Sequence, residues 1–336
     1  MHAAFCLLVA LSSLLLLGIR SDDQRALSDV LLADHGGSNK ITLAPSLSPS
    51  GRIDIYFVGG SKVWHAAHTP YGFISLLNRH FAQSLKPNFT INAAAIGFKD
   101  SNIAYIANRF ESELFTGAKG TTSGHAGTPG LVVLMLGDDD AALGDDSEWT
   151  AGGRRHLQFQ QHYEQMLEMI AQRRGIPVLP CTLLLNGEMK SGNAYDTRIS
   201  VLNDMIALAV DKYKRRLNMK DGTREIKVYE TLNLRGTLQK YLESVNHDNV
   251  GHSHVTFNGQ HLNEDGNALA ALAVLNRLRF VGDVSASAVN STAAALRRQL
   301  QHRIDHSERV RQKIGVFRIL QSASVGADGP GETLGD

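Results

Sequence analysis

The sequence predicts an α/β fold, a parallel sheet covered by helices on both faces. Three observations carry this. From residue 53 onward, strand-like apolar runs alternate with helix-like amphipathic runs. The strand-like runs, Leu131–Leu136 above all, are continuously apolar, as strands buried on both faces require. Glycine-containing turns follow them at Gly59-Gly60-Ser61, Gly97 and Gly137-Asp138-Asp139-Asp140. In such sheets a site lies beyond the carboxyl ends of the strands, so these loops are expected to converge on one edge.

The elements follow in order. Ile53–Val58 is the first predicted strand. Thr69-Pro70 opens a helix, with Thr69 as N-cap and Pro70 in its first position, and Phe73, Leu76, Leu77, His80 and Phe81 share one face of it. Phe89–Ile96 is the second strand, followed by a helix from about Ser101 to Leu114. Gly117–Gly130 reads as a loop and Leu131–Leu136 as the third strand. A long helix is expected over 155–174, a fourth strand over Pro177–Leu185, a helix over Thr197–Lys214 and a fifth strand over Ile226–Tyr229. Asn263 caps an Ala- and Leu-rich helix to about residue 279, with Glu264 and Asp265 suited to its positive end. His65 and His68 are expected on the surface of the first loop.

The flanking segments complete the organisation. Residues 1–21 read as a signal peptide or N-terminal anchor, because Ala3–Ile19 is apolar apart from two serines. Residues 22–50 read as a linker or loosely docked arm, 51–282 as the main domain, 283–325 as a C-terminal helix and 326–336 as a disordered tail. The C-terminal helix carries Leu296, Leu300, Ile304, Val310 and Ile314 at helical spacing, and either packs on the domain or extends from it. Asn88-Phe89-Thr90 and Asn290-Ser291-Thr292 are glycosylation acceptors, at Asn88 and Asn290, that agree with a secretory or extracellular destination.

Composition excludes some functions. A net charge of +1 gives no electrostatic footprint for a nucleic-acid partner. The run Lys212–Arg216 ends a helix, where cations favour the dipole. Of the two cysteines, Cys6 lies in the leader, and Cys181 reads as a buried inert thiol. The acidic runs Asp138–Asp140 and Asp145-Asp146 lack matching histidines and a complete calcium-loop pattern, so neither a metal nor another cofactor is expected.

Two islands carry the chemistry. Ser61 ends the first strand–glycine turn, and His261 lies in Asn258-Gly259-Gln260-His261, just before the Asn263-capped helix. A serine hydroxyl needs a base to become a nucleophile, and the oxyanion it creates needs donors aimed at it. The ordered blocks Gly59-Gly60-Ser61, Asn92-Ala93-Ala94-Ala95-Ile96-Gly97, Gly137-Asp138-Asp139-Asp140 and Asn258-Gly259-Gln260-His261 resemble those of the SGNH (GDSL) esterases and lipases over about residues 51–282.

The resemblance implies a three-layer α/β/α, flavodoxin-like fold with a five-stranded parallel sheet. It implies Ser61 as nucleophile, His261 as base, Asn258 in the place of the triad acid, and an oxyanion hole of Ser61, Gly97 and Asp139. Two positions depart from the pattern. Asp139 replaces an asparagine donor, and loss of one such donor costs about 10²–10³ in rate in another hydrolase. Asn258 replaces the aspartate, a change worth about 10⁴ in a trypsin-like triad. Gly60 replaces an aspartate with no role in proton transfer. Asp139 and Glu264 are candidates to restore charge near His261. The expected function is ester hydrolysis in the secretory pathway, on a small-molecule, lipid or glycan ester, with a membrane involved only if the N-terminal segment is retained. The alternatives are an impaired member of the fold that binds a ligand or partner, and a glycan O-acyltransferase.

Overall fold

Along Arg52–Gly59 (β2) side chains alternate between two cores. Ile53, Ile55 and Phe57 enter one, Tyr56 and Val58 the other, as the two-residue period of a strand requires. The computed structural model describes residues 41–43, 52–84, 90–115, 130–173, 176–184, 194–220, 228–245, 255–257, 261–280, 294–306 and 309. Its elements are β1 (Ile41–Leu43), β2, α1 (Ser61–His68), α2 (Phe73–Ser84), β3 (Thr90–Gly97), α3 (Ile103–Phe115) and β4 (Leu131–Met135). Then come α4 (Arg154–Leu167), β5 (Val178–Pro180), α5 (Ala194–Lys220), α6 (Leu234–Val245), α7 (Glu264–Arg277) and β6 (Leu278–Phe280). A last helix, α8, covers 294–306.

The main sheet is parallel, in the order β3-β2-β4-β5. Its odd-numbered residues face α1, α2, α6 and α7, and its even-numbered residues face α3, α4 and α5. This is the expected three-layer arrangement. The chain runs from β2 outward to β3, then crosses back to β4 on the other side of β2. The crevice between the carboxyl ends of β2 and β4 is therefore the switch point, where doubly wound sheets place their sites.

The sheet differs from the expected five strands. Four are formed among the described residues, and the fifth position is marked by the parallel bridges Val178↔Val228 and Cys181↔Leu232. Residues 226 and 227, the start of the predicted fifth strand, lie outside the described set. Ile41–Leu43, within the segment read as a linker, pairs in parallel with Leu278–Phe280 and buries Ile41 completely. A three-residue strand is too short to show a period, so nothing local announced it.

Helix boundaries shift for physical reasons. His65 and His68 stand on α1 rather than in a loop. Residues 69–72 form a turn, Gly72 N donating to Thr69 O at 3.1 Å, and α2 begins at Phe73 instead of Pro70. The Phe73 N–H is capped from far away, by Asn267 Oδ1 at 2.9 Å. Asn267 is buried on α7 and also donates to Leu262 O and Asn263 O, both at 2.9 Å. Asn267→Leu strands the buried Phe73 N–H. It is expected to cost about 1–3 kcal/mol, read as a lower denaturation midpoint at unchanged m-value.

α6 lies in a stretch where no element is predicted. Asn233 caps it through Gly236 N (2.8 Å), and Leu234, Leu238, Tyr241, Leu242 and Val245 bury its inner face. The α8 residues Leu296, Leu300 and Ile304 join the same core, so this helix packs on the domain. Val310 and Ile314 lie outside the described residues, as do residues 1–21, Asn88 and Asn290. Lys212 pairs with Glu164 at 2.7 Å, which gives the basic run a structural use. Cys181 is fully buried, which pushes its thiol far up and leaves it unreactive.

Candidate active site

Ser61 is the first residue of α1, directly beyond the carboxyl end of β2, and is 8% exposed. Its hydroxyl accepts from Asp100 N at 2.8 Å and lies 3.2 Å from Asp139 Oδ2 and 3.3 Å from Asp100 Oδ1. One proton serves the two carboxylate directions, so the hydroxyl donates to one at a time. Among the described residues these aspartates, not His261, hold the hydroxyl. Asp100, whose N–H meets Ser61 Oγ, has φ 53°, a left-handed conformation that aspartate tolerates better than most residues.

Asp139 Oδ2 accepts from Ser61 N at 3.0 Å and from Ser101 N at 3.2 Å. Two backbone amides from separate loops thus converge on one oxygen beside the nucleophile candidate. Ser101 lies four residues beyond Gly97, the glycine implied by the resemblance. Gly97 pairs with Gly59 across β2 and β3. A Cβ at Gly97 would lie 2.5 Å from the Trp64 backbone, so glycine here lets α1 sit against β3.

The aspartates on either side of Asp139 anchor the same loop. Asp138 Oδ1 meets Lys62 Nζ at 3.0 Å, with both side chains buried, and the Asp138 carbonyl accepts from Tyr195 Oη at 2.6 Å. Burial pushes the Asp138 carboxyl up, against the pull of Lys62. Asp140 accepts from Ile103 N at 2.9 Å, at the start of α3. Burial, with smaller repulsions from Asp139 and Asp138, raises its carboxyl to about 7. The three carboxylates of this turn thus have three different sets of partners.

His261 is half-buried, and its ring lies 4.5 Å from that of His65 and 5.7 Å from that of Phe257. The loop is held by Phe257 N to His261 O at 3.1 Å and Asn263 N to Val255 O at 2.9 Å. Burial lowers the His261 pKa first, followed by His65 and Lys62, while Asp139 and Asp100 act in the opposite sense. Asn258 lies outside the described residues. Glu264 is exposed in the first turn of α7, whose cap is Asn263 Oδ1 to Gly266 N at 3.0 Å, as predicted.

Lys62, Asp100 and Ser101 were missed. Lys62 was adjacent to Ser61, and Asp100-Ser101-Asn102 is a polar run just before an amphipathic helix, with Asn102 Oδ1 accepting from Tyr105 N. Such a pattern is that of a helix cap, and nothing local in it marks a donor aimed at Ser61.

The acetyl xylan esterase AlAXEase superposes with a TM-score of 0.50 at 21% identity, over 66% of this chain and 98% of that one. The fold is that of the SGNH hydrolases. Two other solved structures are similar to this SGNH-fold chain. The lipase/acylhydrolase from Enterococcus faecalis matches with TM-score 0.45 and 17% identity, over 66% of this chain and 93% of its own. The acetylxylan esterase Axe2 from Geobacillus stearothermophilus matches with TM-score 0.48 and 11% identity, over 70% and 97%. No protein-family model and no curated protein matches the chain.

Proposed function

We propose that this SGNH-fold protein is a serine ester hydrolase acting on a small-molecule ester through Ser61 and His261. The observation that carries the proposal is the convergence of the Ser61 and Ser101 amides on one point beside the Ser61 hydroxyl. That is the geometry needed to hold the oxygen of a tetrahedral intermediate.

In this reading Ser61 Oγ attacks the ester carbonyl carbon and its proton passes to the His261 imidazole. The carbonyl oxygen becomes the oxyanion, held by the two N–H groups. Collapse expels the alcohol, which takes the proton from His261. Water then attacks the acyl-serine and gives a proton to His261, and collapse releases the acid and Ser61 Oγ, which takes that proton back from His261. Asn258 would accept from the imidazole N–H without supplying charge. The apolar leader and the acceptors at Asn88 and Asn290 support a secretory route.

The test is a fluorophosphonate adduct located by peptide mass analysis. Label on Ser61, lost in Ser61→Ala and slowed in His261→Ala, is the expected result. Folded wild-type protein carrying no adduct on Ser61 between about pH 5 and 9 would overturn the reading. Because burial and His65 lower the His261 pKa, the neutral base persists below the ordinary histidine range. The acidic fall in labelling rate should therefore lie below about pH 6.5.

One observation favours a second reading, a ligand- or partner-binding protein of the same fold. The Asp139 carboxylate oxygen stands where the acyl oxygen would go. That reading predicts no adduct.

A further inference from the structure

We infer that Asp139 is a resident occupant of the acyl-oxygen position and keeps Ser61 in a closed state, which opens when this one side chain is displaced. The inference rests on the Ser61 hydrolase reading for its consequence in catalysis, but its geometry stands independently.

Three groups meet Asp139 Oδ2: Ser61 N at 3.0 Å, Ser101 N at 3.2 Å and Ser61 Oγ at 3.2 Å. Hydrogen bonds to an ionised oxygen are stronger than those to a neutral carbonyl, so an incoming ester oxygen competes at a disadvantage for the two amides. An oxyanion forming beside a retained carboxylate would also meet like charge instead of a donor. The serine is held as well. The Asp100 N–H takes a lone pair of its hydroxyl, and Asp139 and Asp100 take its proton in turn.

The residue at position 60 makes this occupancy sterically feasible. A Cβ built on Gly60 would lie 2.3 Å from Asp139 Oδ2. Asp139 Oδ2 thus takes the space that a side chain at position 60 would fill. The departures from the family pattern at positions 60 and 139 are thus one feature in space, a carboxylate and the gap that admits it. On either side of it, Asp138 is fixed by Lys62 and Asp140 by Ile103 N. The backbone of residue 139 is held at both neighbours, which leaves rotation of its own side chain as the way out. The structure also makes the Ser101 amide the second donor that an ester oxygen would use.

Two kinds of variant open the position. Asp139→Asn puts a neutral amide there, able to donate, and Asp139→Ala empties it. Gly60→Ala evicts the carboxylate without altering it. Fluorophosphonate labelling of Ser61 is expected to be at least about 10²-fold faster in Asp139→Asn than in wild type, and faster in Gly60→Ala as well. A second readout needs no chemistry: acetate titrated into ¹⁵N-labelled Asp139→Ala should shift the Ser61 and Ser101 amide resonances saturably, and leave them unmoved in wild type.

If wild type labels at Ser61 and no variant is faster, the occupancy inference is overturned while the hydrolase reading stands. If nothing labels but acetate binds Asp139→Ala at those two amides, the occupancy is upheld and the hydrolase reading falls. Absence of both faster labelling and acetate binding in correctly folded variants overturns the occupancy.

Discussion

Lys62→Met is expected to destabilise the protein by about 3–5 kcal/mol, the cost of leaving one member of a buried ion pair without its partner. Lys62 and Asp138 meet at 3.0 Å with side chains only 4% and 6% exposed. Methionine fills much of the lysine volume, so the loss is electrostatic more than steric. Asp138 already has a carboxyl pushed up by burial, with Lys62 pulling the other way. Without the lysine it rises further, and the group is raised relative to the unfolded chain. A raised acid contributes stability below its unfolded pKa and loses it as pH rises through its folded pKa. The defect of Lys62→Met should therefore be smallest in acid and grow toward pH 8.

Denaturant unfolding of wild type, Lys62→Met and the double variant Lys62→Met/Asp138→Leu at pH 5 and pH 8 checks this. The double variant should recover most of the loss, because an apolar pair of similar volume removes the unpaired charge. An unfolding free energy of Lys62→Met within about 1 kcal/mol of wild type at pH 8 would show that the pair is dispensable. It would also remove one of the two anchors flanking Asp139.

Asp140→Asn is expected to stabilise the protein at and above neutral pH while changing little in acid. The Asp140 carboxyl is raised to about 7, burial being the main cause, from an ordinary value of 3.8. Its contribution is fully present below about pH 4 and is lost as pH rises through about 7. The span of about 3 units, at about 1.4 kcal/mol each, sets an upper scale near 4 kcal/mol. Asparagine retains an oxygen able to accept from Ile103 N, so the start of α3 keeps its partner. The difference between Asp140→Asn and wild type should open between pH 4 and 8. Unfolding curves at pH 4, 6 and 8 that stay parallel would contradict it.

The sheet was legible because its signals are local. β2 and β4 are largely apolar runs with a glycine at or just beyond the end, and their strand-end loops meet where Ser61 N donates to Asp139 Oδ2. The cap of α7 was legible for the same reason, since Asn263 and Gly266 are three residues apart. The start of α2 was not. Pro70 has the composition of a first helical residue, but the partner that sets the true start, Asn267, is 194 positions from Phe73. Ile41–Leu43 was missed because its pairing with Leu278–Phe280 crosses nearly the whole domain.

The site divides along the same line. Ser61 at a strand end and His261 ahead of a capped helix could be read from the chain alone, because strand, turn and cap are written in adjacent residues. The partners of the aspartates could not be read there. Asp139 meets Ser61 across 78 positions and Ser101 across 38, and Asp138 meets Lys62 across 76. An aspartate in a Gly-Asp-Asp-Asp turn has the same local chemistry whether it is solvated, paired with a buried lysine or seated on two amides. Sequence by itself determined the layered α/β fold and the residues that stand at its carboxyl edge. Only the tertiary structure decided that Asp139 fills the oxygen position beside Ser61, because charge pairing and close approach depend on which loops meet in space.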